Sequence, residues 1–593
     1  MGKRSITAKQ LMIRSCSMNT QTQGINQEKM QEFFGSMISK MNEQGTDTDP
    51  FGALKSLQQV AEAWVKNPQE LNQSMQNWSQ KIGEVNMRVW NEFANKSKES
   101  IEKGEFGKIP KLEELPHFGW IQEYYKLYAE FLQESIQKTP NVSDRTKDKA
   151  RFWTEQMVSA ISPNNYFWTN PGSIREFIDT EGKSLVKGFE NWVKDFQDQM
   201  PQMVDKSPFE VGKNLANTPG KVVYRNDLME LIQYEANTDQ VHQTPVLITP
   251  PWINKFYILD LNEKKSFVRN LVNNGFTVFM ISWKNPTTEL RSTSLDDYML
   301  MGPVEGMRVV KEITGAENIH AVGYCIGGSL LATTMGWLNG PQKKVKNLFT
   351  SFTLLTTLVD FSKPGDLGLF VDEDSMKFVE KMMAEKGYLD GKQMGTTYRI
   401  MKADGLIWNY VVNNYLYGKT PPPIDMLFWN EDSTRLPEKA HSFYLREFYI
   451  NNHLCQGKLE LAGQKINLGE INQPLYSVAA EKDHITPWDQ VFKTGLNTGG
   501  QVRFALSTSG HIAGVVNPPL NPPKRAYWAG PVTETDQDPM IWQKNVQQVP
   551  GSWWQDWIPW LQGQCGDKGG VPTMGSKKYK LLGDAPGIYV KEK

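Results

Sequence analysis

Between residues 319 and 338 the chain reads strand, tight turn, helix, and at the turn stands Gly323-Tyr324-Cys325-Ile326-Gly327. The mostly apolar residues 319–322 suit a short buried strand, and the run from Leu330 through Met335 to Leu338 suits a helix. A G-x-C-x-G pattern in that setting is a nucleophile elbow, which holds a reactive side chain on a strained turn at the end of a sheet. Side chains two positions either side of Cys325 would strike the strand and the helix, which is a physical reason for glycine at both. The alternative is a buried structural cysteine in a glycine-rich turn.

Cysteine where most elbows carry serine has chemical content. A thiol is already partly ionised at neutral pH, and a helix N-terminus or an imidazole increases that fraction. Acylating a cysteine gives a thioester. If the donor is also a thioester, its group-transfer potential survives in the intermediate. A cysteine elbow therefore suits acyl transfer from coenzyme A to an alcohol better than ester hydrolysis.

Composition removes several classes. The formal charge is −1 and the pI about 6.7, so no global field favours nucleic acid. The four cysteines, Cys16, Cys325, Cys455 and Cys565, are far apart and form no C-x-x-C pair. That argues against a zinc site or a disulfide framework and for a reducing compartment. Four basic residues lie within residues 1–20, but no apolar block of signal-peptide length follows, and Ile6 breaks the myristoylation pattern. No run of 18 apolar residues exists to span a membrane. Met12 and Met18 leave the true start of translation open.

In chain order, residues 1–25 are polar and expected to be disordered. A helical N-terminal domain is expected over residues 26–205. Met30, Phe33, Phe34, Met37 and Met41 recur at three and four, as do Leu57, Val60, Ala61, Trp64 and later Trp120, Tyr124, Leu127, Phe131. These stripes read as helix packing. From residue 206 the chain reads as a catalytic domain. Strands are expected at 221–224, 230–234, 245–249, 275–283, 319–322, 349–359, 474–480 and, as the last, 501–506, with helices between most of them. Such alternation predicts a mostly parallel sheet. Residues 361–470 break it with a helical, aromatic stretch too long for a loop, and are read as an inserted cap. Trp553, Trp554, Trp557 and Trp560 predict a helix buried against the core.

The elbow supplies the order in which partners should appear: nucleophile, acid, base, each just after a strand. Of the seven histidines, only His441, His453, His484 and His511 follow Cys325. The first two fall in the cap. His484 neighbours an acid candidate on a loop that would turn it away. His511 follows the last predicted strand and a glycine, and is the expected base. Asp483, after the penultimate strand, is the expected acid, with Asp360 after the preceding strand as its competitor. The amide of Ile326 and one from the Trp252-Ile253 loop, taken as Ile253, would form the oxyanion hole.

These residues carry a resemblance. The chain resembles the polyhydroxyalkanoate synthases, and among them the single-subunit class I enzymes. The matching motifs are Gly323-Tyr-Cys325-Ile-Gly-Gly328, Thr249-Pro-Pro-Trp-Ile-Asn-Lys-Phe-Tyr-Ile-Leu-Asp260 and Val278-Phe-Met-Ile-Ser-Trp-Lys-Asn-Pro286, with Asp425-Met-Leu-Phe-Trp-Asn430, Asp483-His-Ile485 and Ser509-Gly-His-Ile-Ala-Gly-Val-Val-Asn-Pro-Pro519. The resemblance is dense from about residue 162 to 519. It departs at Lys402-Ala-Asp404-Gly405, where the family usually has Arg, Asn and Asp. That bears on substrate range or cap movement rather than on the chemistry.

The resemblance implies an α/β-hydrolase fold with an inserted helical cap behind a mostly helical N-terminal domain. It implies polymerisation of (R)-3-hydroxyacyl-CoA with release of CoA through an acyl-cysteine, by Cys325, Asp483 and His511. It further implies a homodimer in the cytoplasm, working at the surface of a polyester storage granule. No metal and no cofactor is called for, and neither a nucleic-acid partner nor a transmembrane segment is expected. The competing readings are a thioesterase or polyester depolymerase of the same fold, and a non-catalytic protein coating granules.

Overall fold

The computed structural model describes residues 49–102, 116–198, 200–342, 345–533 and 535–593. Expectations for residues 1–25, for the stripe from Met30 to Met41 and for Cys16 lie outside the described residues. The chain forms two compact units. One comprises the described residues up to Asn164 with Thr169–Pro171; the other comprises Asn165–Trp168 and Gly172–Lys593.

In the first unit, a helix over Ala53–Lys66 ends at Asn67, and Pro68 opens a 35-residue helix, Pro68–Glu102. Proline suits a first helical turn, where its missing N–H has no partner to lose. Helices Pro116–Gln137 and Asp144–Ala160 follow, the second capped by Ser143, whose side chain accepts from the Thr146 N–H. The stripe of Val60 and Trp64 packs with Ile136 and Ala150 into a small core. Phe131 stacks on Trp78 with ring centres 4.6 Å apart.

The second unit is built on a sheet. Its strands are β1 Gly220–Arg225, β2 Met229–Tyr234, β4 Val246–Thr249, β5 Val278–Trp283, β6 Ile319–Tyr324, β7 Phe349–Leu355, β12 Leu475–Ala480, β13 Val502–Ser507, β14 Ala526–Val532, β15 Gln548–Pro550 and β17 Gly583–Asp584. Short ladders outside it join β3 Gln240–His242 to β16 Lys568–Gly570, and, within the cap, β8 Tyr388–Leu389 to β9 Leu436–Pro437 and β10 Glu460–Leu461 to β11 Gln464–Lys465. The sheet order is β15-β14-β13-β12-β7-β6-β4-β5-β2-β1-β17. Its centre, β13 to β5, is parallel, and β4, β5, β6 and β12 are buried at every residue, as strands covered on both faces must be.

Three expectations are corrected here. The sheet is not mostly parallel: among the described residues it has five parallel and five antiparallel pairings. The strand ending at Ser507 is not the last, because β14 and β15 extend the sheet antiparallel beyond it. The strand predicted over 349–359 stops at Leu355, where Thr356 takes a positive φ of 41° that extended backbone cannot continue.

The elbow helix, Ile326–Asn339, is buried at every residue except Asn339. Its Thr333 and Thr334 hydroxyls bond the carbonyls four residues back at 2.7 Å, so neither is left unpaired in the core. Phe267 stacks on Trp557, 4.9 Å between centres, beside Trp553 and Trp554, the predicted tryptophan cluster at the start of helix Trp554–Cys565. At 150–250 Å² each, such rings stabilise by on the order of 4–6 kcal/mol apiece, as an upper bound. Between β7 and β12 lies the cap, with helices Glu373–Lys386, Gly391–Met401, Asp425–Glu431 and Glu438–Tyr444. Helix Lys183–Asp198, placed with the N-terminal helices by the sequence pattern, lies in the second unit against this cap. Asp195 accepts from the Tyr415 hydroxyl at 2.9 Å and the Asn191 amide donates to the Asn414 carbonyl at 3.0 Å.

Candidate active site

β6 ends at Tyr324 and the next helix begins at Ile326, which leaves Cys325 alone in the turn with φ 54° and ψ −125°. A non-glycine residue held there costs on the order of 1–3 kcal/mol. The surroundings fix it. The Cys325 N–H donates to the Leu355 carbonyl at 2.9 Å, and its own carbonyl accepts from Gly328 and Ser329 at 2.8 and 3.1 Å. The flanking glycines are sterically required: a Cβ on Gly323 would lie 2.6 Å from the Gly328 Cα, and one on Gly327 would lie 2.4 Å from the Pro250 carbonyl oxygen. The second contact also shows that the loop after β4 presses against the first turn of the elbow helix.

His511 opens a short helix, His511–Val515, three residues beyond Thr508, and its side chain is 10% exposed. Its Nδ1 lies 2.6 Å from Asp483 Oδ2 and its ring stacks on Tyr324. With Nδ1 committed to Asp483, Nε2 remains for Cys325, whose sulfur acts electrostatically on the imidazole. Burial works against a charged imidazole, but the Asp483 carboxylate and the Cys325 sulfur outweigh it and raise the His511 pKa well above its ordinary value. Asp483 is buried in turn. Burial would raise its carboxyl, yet His511 and Thr486 hold it below the usual range. Its Oδ1 accepts from the Ile485 and Thr486 amides, both at 2.9 Å, and its Oδ2 from the Thr486 hydroxyl at 2.7 Å. Four donors thus fix one carboxylate.

Asp360, the competing acid, faces elsewhere. Its carboxylate accepts from the Ser362 amide at 2.9 Å and the Asn452 side chain at 2.8 Å, with Lys493 at 4.0 Å. His484 is held low, to about 4, by burial and then by the positive charge of Lys402. Burial alone keeps His320 and His441 low, at about 3 and about 4. Cys455 donates to Asn497 and Cys565 is buried, its thiol pushed up to about 12.

The Ile326 amide is the first of its helix and has no intrahelical acceptor. Ile253 follows Pro250-Pro251-Trp252 in the loop that abuts Gly327. Sequence reasoning missed a further group. Three cap tyrosines, Tyr398, Tyr444 and Tyr449, have their phenols pushed up, by burial first and, among the further causes, by the electrostatic influence of Cys325. Only a pairing of cap with elbow could have singled them out, since in sequence they sit among other aromatics at helical spacing. Among the described residues, no group of three or more His, Cys, Asp or Glu side chains could hold a metal ion. No helix among them is long and apolar enough to cross a membrane.

A family model for the N-terminus of poly-beta-hydroxybutyrate polymerase (PhaC) matches residues 107–271, and one for the alpha/beta hydrolase fold matches residues 245–518. The poly(3-hydroxyalkanoate) polymerase subunit PhaC of Rhizobium meliloti (strain 1021) is 37% identical over 588 residues, 96% of this chain and 94% of its own. The poly(3-hydroxyalkanoate) polymerase of Methylorubrum extorquens is 37% identical over 576 residues, 94% of this chain and 93% of its own. The PhaC subunit of Cupriavidus necator is 38% identical over 477 residues, 79% of this chain and 80% of its own.

Proposed function

Since the chain belongs to the poly(3-hydroxyalkanoate) polymerase family, we propose that it polymerises (R)-3-hydroxyacyl groups delivered as CoA thioesters, releasing CoA and passing through an acyl-Cys325 intermediate. The observation that carries this reading is the joint placement of Cys325 on a strained elbow and of His511, its Nδ1 fixed 2.6 Å from a buried carboxylate and its imidazole under the electrostatic influence of the Cys325 sulfur.

In the first half-reaction His511 takes the thiol proton of Cys325. The thiolate attacks the thioester carbonyl, and the tetrahedral oxyanion is met by the amides of Ile326 and Ile253. Collapse expels the CoA thiolate, which receives the proton from His511. In the second, the hydroxyl of another 3-hydroxyacyl unit gives its proton to His511 while its oxygen attacks the acyl-cysteine. An oxygen ester forms and the Cys325 thiolate leaves. Asp483 orients the imidazole and stabilises its charged form. The positioned base is worth roughly 10²–10⁴-fold at the second step, because an aliphatic alcohol is a weak acid. The cap's part is to keep water from the acyl-cysteine. On the family resemblance, the working enzyme is a homodimer in the cytoplasm at the surface of a polyester granule.

Cys325→Ala should abolish CoA release from 3-hydroxybutyryl-CoA and leave the far-UV spectrum unchanged, whereas Cys455→Ala and Cys565→Ala should keep turnover. Polymer made by Cys325→Ala would sink the assignment. Free hydroxy acid as the main product of the wild type would replace polymerase with thioesterase.

A further inference from the structure

The loop after β4 does not stand by itself. The Trp252 carbonyl accepts from the Thr434 hydroxyl at 2.7 Å, Asn254 forms an isolated antiparallel bridge with Ser433, and the Lys255 carbonyl accepts from the Trp429 indole N–H at 2.7 Å. Residues 252, 254 and 255 are thus each tied to one cap segment, residues 429–434, and Ile253 lies between the ties.

One further tie is ionic. Lys255, with its side chain 5% exposed, sets its ammonium 2.8 Å from Asp432 Oδ1 and donates to the Glu592 carbonyl at 2.9 Å. Asp432 Oδ2 accepts from the Tyr257 hydroxyl at 2.9 Å. The C-terminal stretch joins at Asn285 as well, whose N–H donates to the Glu592 carboxylate at 3.2 Å and whose side-chain oxygen accepts from the Arg435 N–H at 2.9 Å. A buried ammonium with one carboxylate and one carbonyl is expensive to desolvate, and the desolvation can cancel what the pair gains in stability. Its plain effect is on geometry: three stretches far apart in sequence are held in one arrangement.

We propose that Lys255 and Asp432 are positioning residues for acylation: through them the cap segment 429–435 sets the loop carrying the Ile253 amide, so that the cap completes the oxyanion hole as well as covering the site. This rests on the acyl-cysteine reading above. A loop that shifts by a fraction of an ångström still leaves the His511–Asp483 pair and the elbow backbone in place, because their hydrogen bonds run to Thr486, Ile485, Leu355, Gly328 and Ser329 and not to the ties. Acylation, which builds negative charge on a carbonyl oxygen, would slow. Alkylation of the same thiol by iodoacetamide, a displacement at carbon with no oxyanion, would not. Loss of one oxyanion donor costs about 10²–10³-fold, and misplacing rather than removing it should cost about 10–100-fold.

The test compares these two reactions in the full-length protein. Lys255→Met, and the charge-neutral double variant Lys255→Met/Asp432→Asn in case the single change leaves an unpaired carboxylate that unfolds the protein, are mixed with 3-hydroxybutyryl-CoA and the first-turnover CoA release is timed. Cys325 alkylation by iodoacetamide is timed in parallel. The expected result is acylation slower by about 10–100-fold, kcat lowered with KM within about threefold, and alkylation within about twofold of wild type. Acylation at the wild-type rate in either folded variant overturns the proposal. So does an equal fall in both reactions, which would mean general damage to the site. A wild type that alkylates but releases no CoA would instead refute the acyl-cysteine reading itself.

Discussion

Two neighbouring strand ends of the second unit invite comparison. β7 and β12 are adjacent and parallel, and each is followed by a buried aspartate, Asp360 and Asp483. By chain order either could be the acid of the site. The difference lies in the turn beyond each strand. Asp483 comes three residues after Ala480 in a tight turn, where two amides and the Thr486 hydroxyl aim its carboxylate at His511. Asp360 comes five residues after Leu355, beyond the positive-φ Thr356, and its carboxylate is spent on Ser362 and Asn452 at the root of the cap. Two largely buried aspartates after adjacent parallel strands therefore differ in partner, one meeting a histidine and the other a structural joint.

The largest effect that bears on this contrast is expected from Asp483→Asn. It should lower turnover by about 10²–10⁴-fold, yet still form and hold the acyl-enzyme, seen as a mass increase on Cys325 after mixing with 3-hydroxyacyl-CoA. His511→Gln should be slow at both steps and accumulate little. If Asp360→Asn accumulates the adduct and Asp483→Asn does not, the two strand ends exchange roles. Next in size is Thr486→Val, which removes the hydroxyl that Asp483 Oδ2 shares with His511. One such hydrogen bond is worth about 1–1.5 kcal/mol, or roughly tenfold in kcat at unchanged fold. An unchanged kcat would mean that the two amides alone fix the carboxylate.

A subtler contrast is in pH. The Asp483 carboxyl is held low, so its share of stability is present above the ordinary carboxylate value near 3.8 and is lost as pH falls through its lowered value. The His511 imidazole is held high, so its share is present below about 6.5 and is lost as pH rises through its raised value. The gap in melting temperature between wild type and Asp483→Asn should therefore be widest between about pH 4 and 6.5 and narrow as the pH rises further. A gap that widened with rising pH would contradict the pairing. The smallest catalytic effect belongs to the other strand end. Asn452→Ala should leave kcat within about twofold while costing about 1–3 kcal/mol of unfolding free energy, because it deprives buried Asp360 of a donor and the Phe361 amide of its acceptor.

Legibility in the sequence tracks local pattern. The elbow was legible because two glycines and a cysteine at fixed spacing leave few backbone solutions, and the parallel strands because fully buried strands are continuous apolar runs. The candidate residues Cys325, Asp483 and His511 do lie together; whether they act together is for the variants to decide. β14 was not legible, since Gly530 and Pro531 fall inside it and an edge-side antiparallel strand tolerates both. The end of β7 was hidden because Thr356 to Val359 continue the β-branched and apolar pattern past the point where the backbone turns. Tyr398, Tyr444 and Tyr449 were hidden for the opposite reason: their spacing is that of any packed helix, and only the folding of the cap over the elbow sets them apart.

The outer edge of the sheet carries a temporal consequence. β1 is paired on one side with β17, and Lys221 meets Asp584 across 363 residues of chain. As the polypeptide emerges from the ribosome, β1 appears early and stays an open edge until residues 583–584 arrive, with the entire central sheet and cap made in between. Pairings of such long range form slowly, and an open edge is where a nascent chain is most exposed to wrong partners. The Glu592 carbonyl that receives Lys255 emerges later still. On this topology the loop beside the elbow is among the last parts of the unit to be locked, and a ribosome-bound chain would carry Cys325 long before that loop is tied.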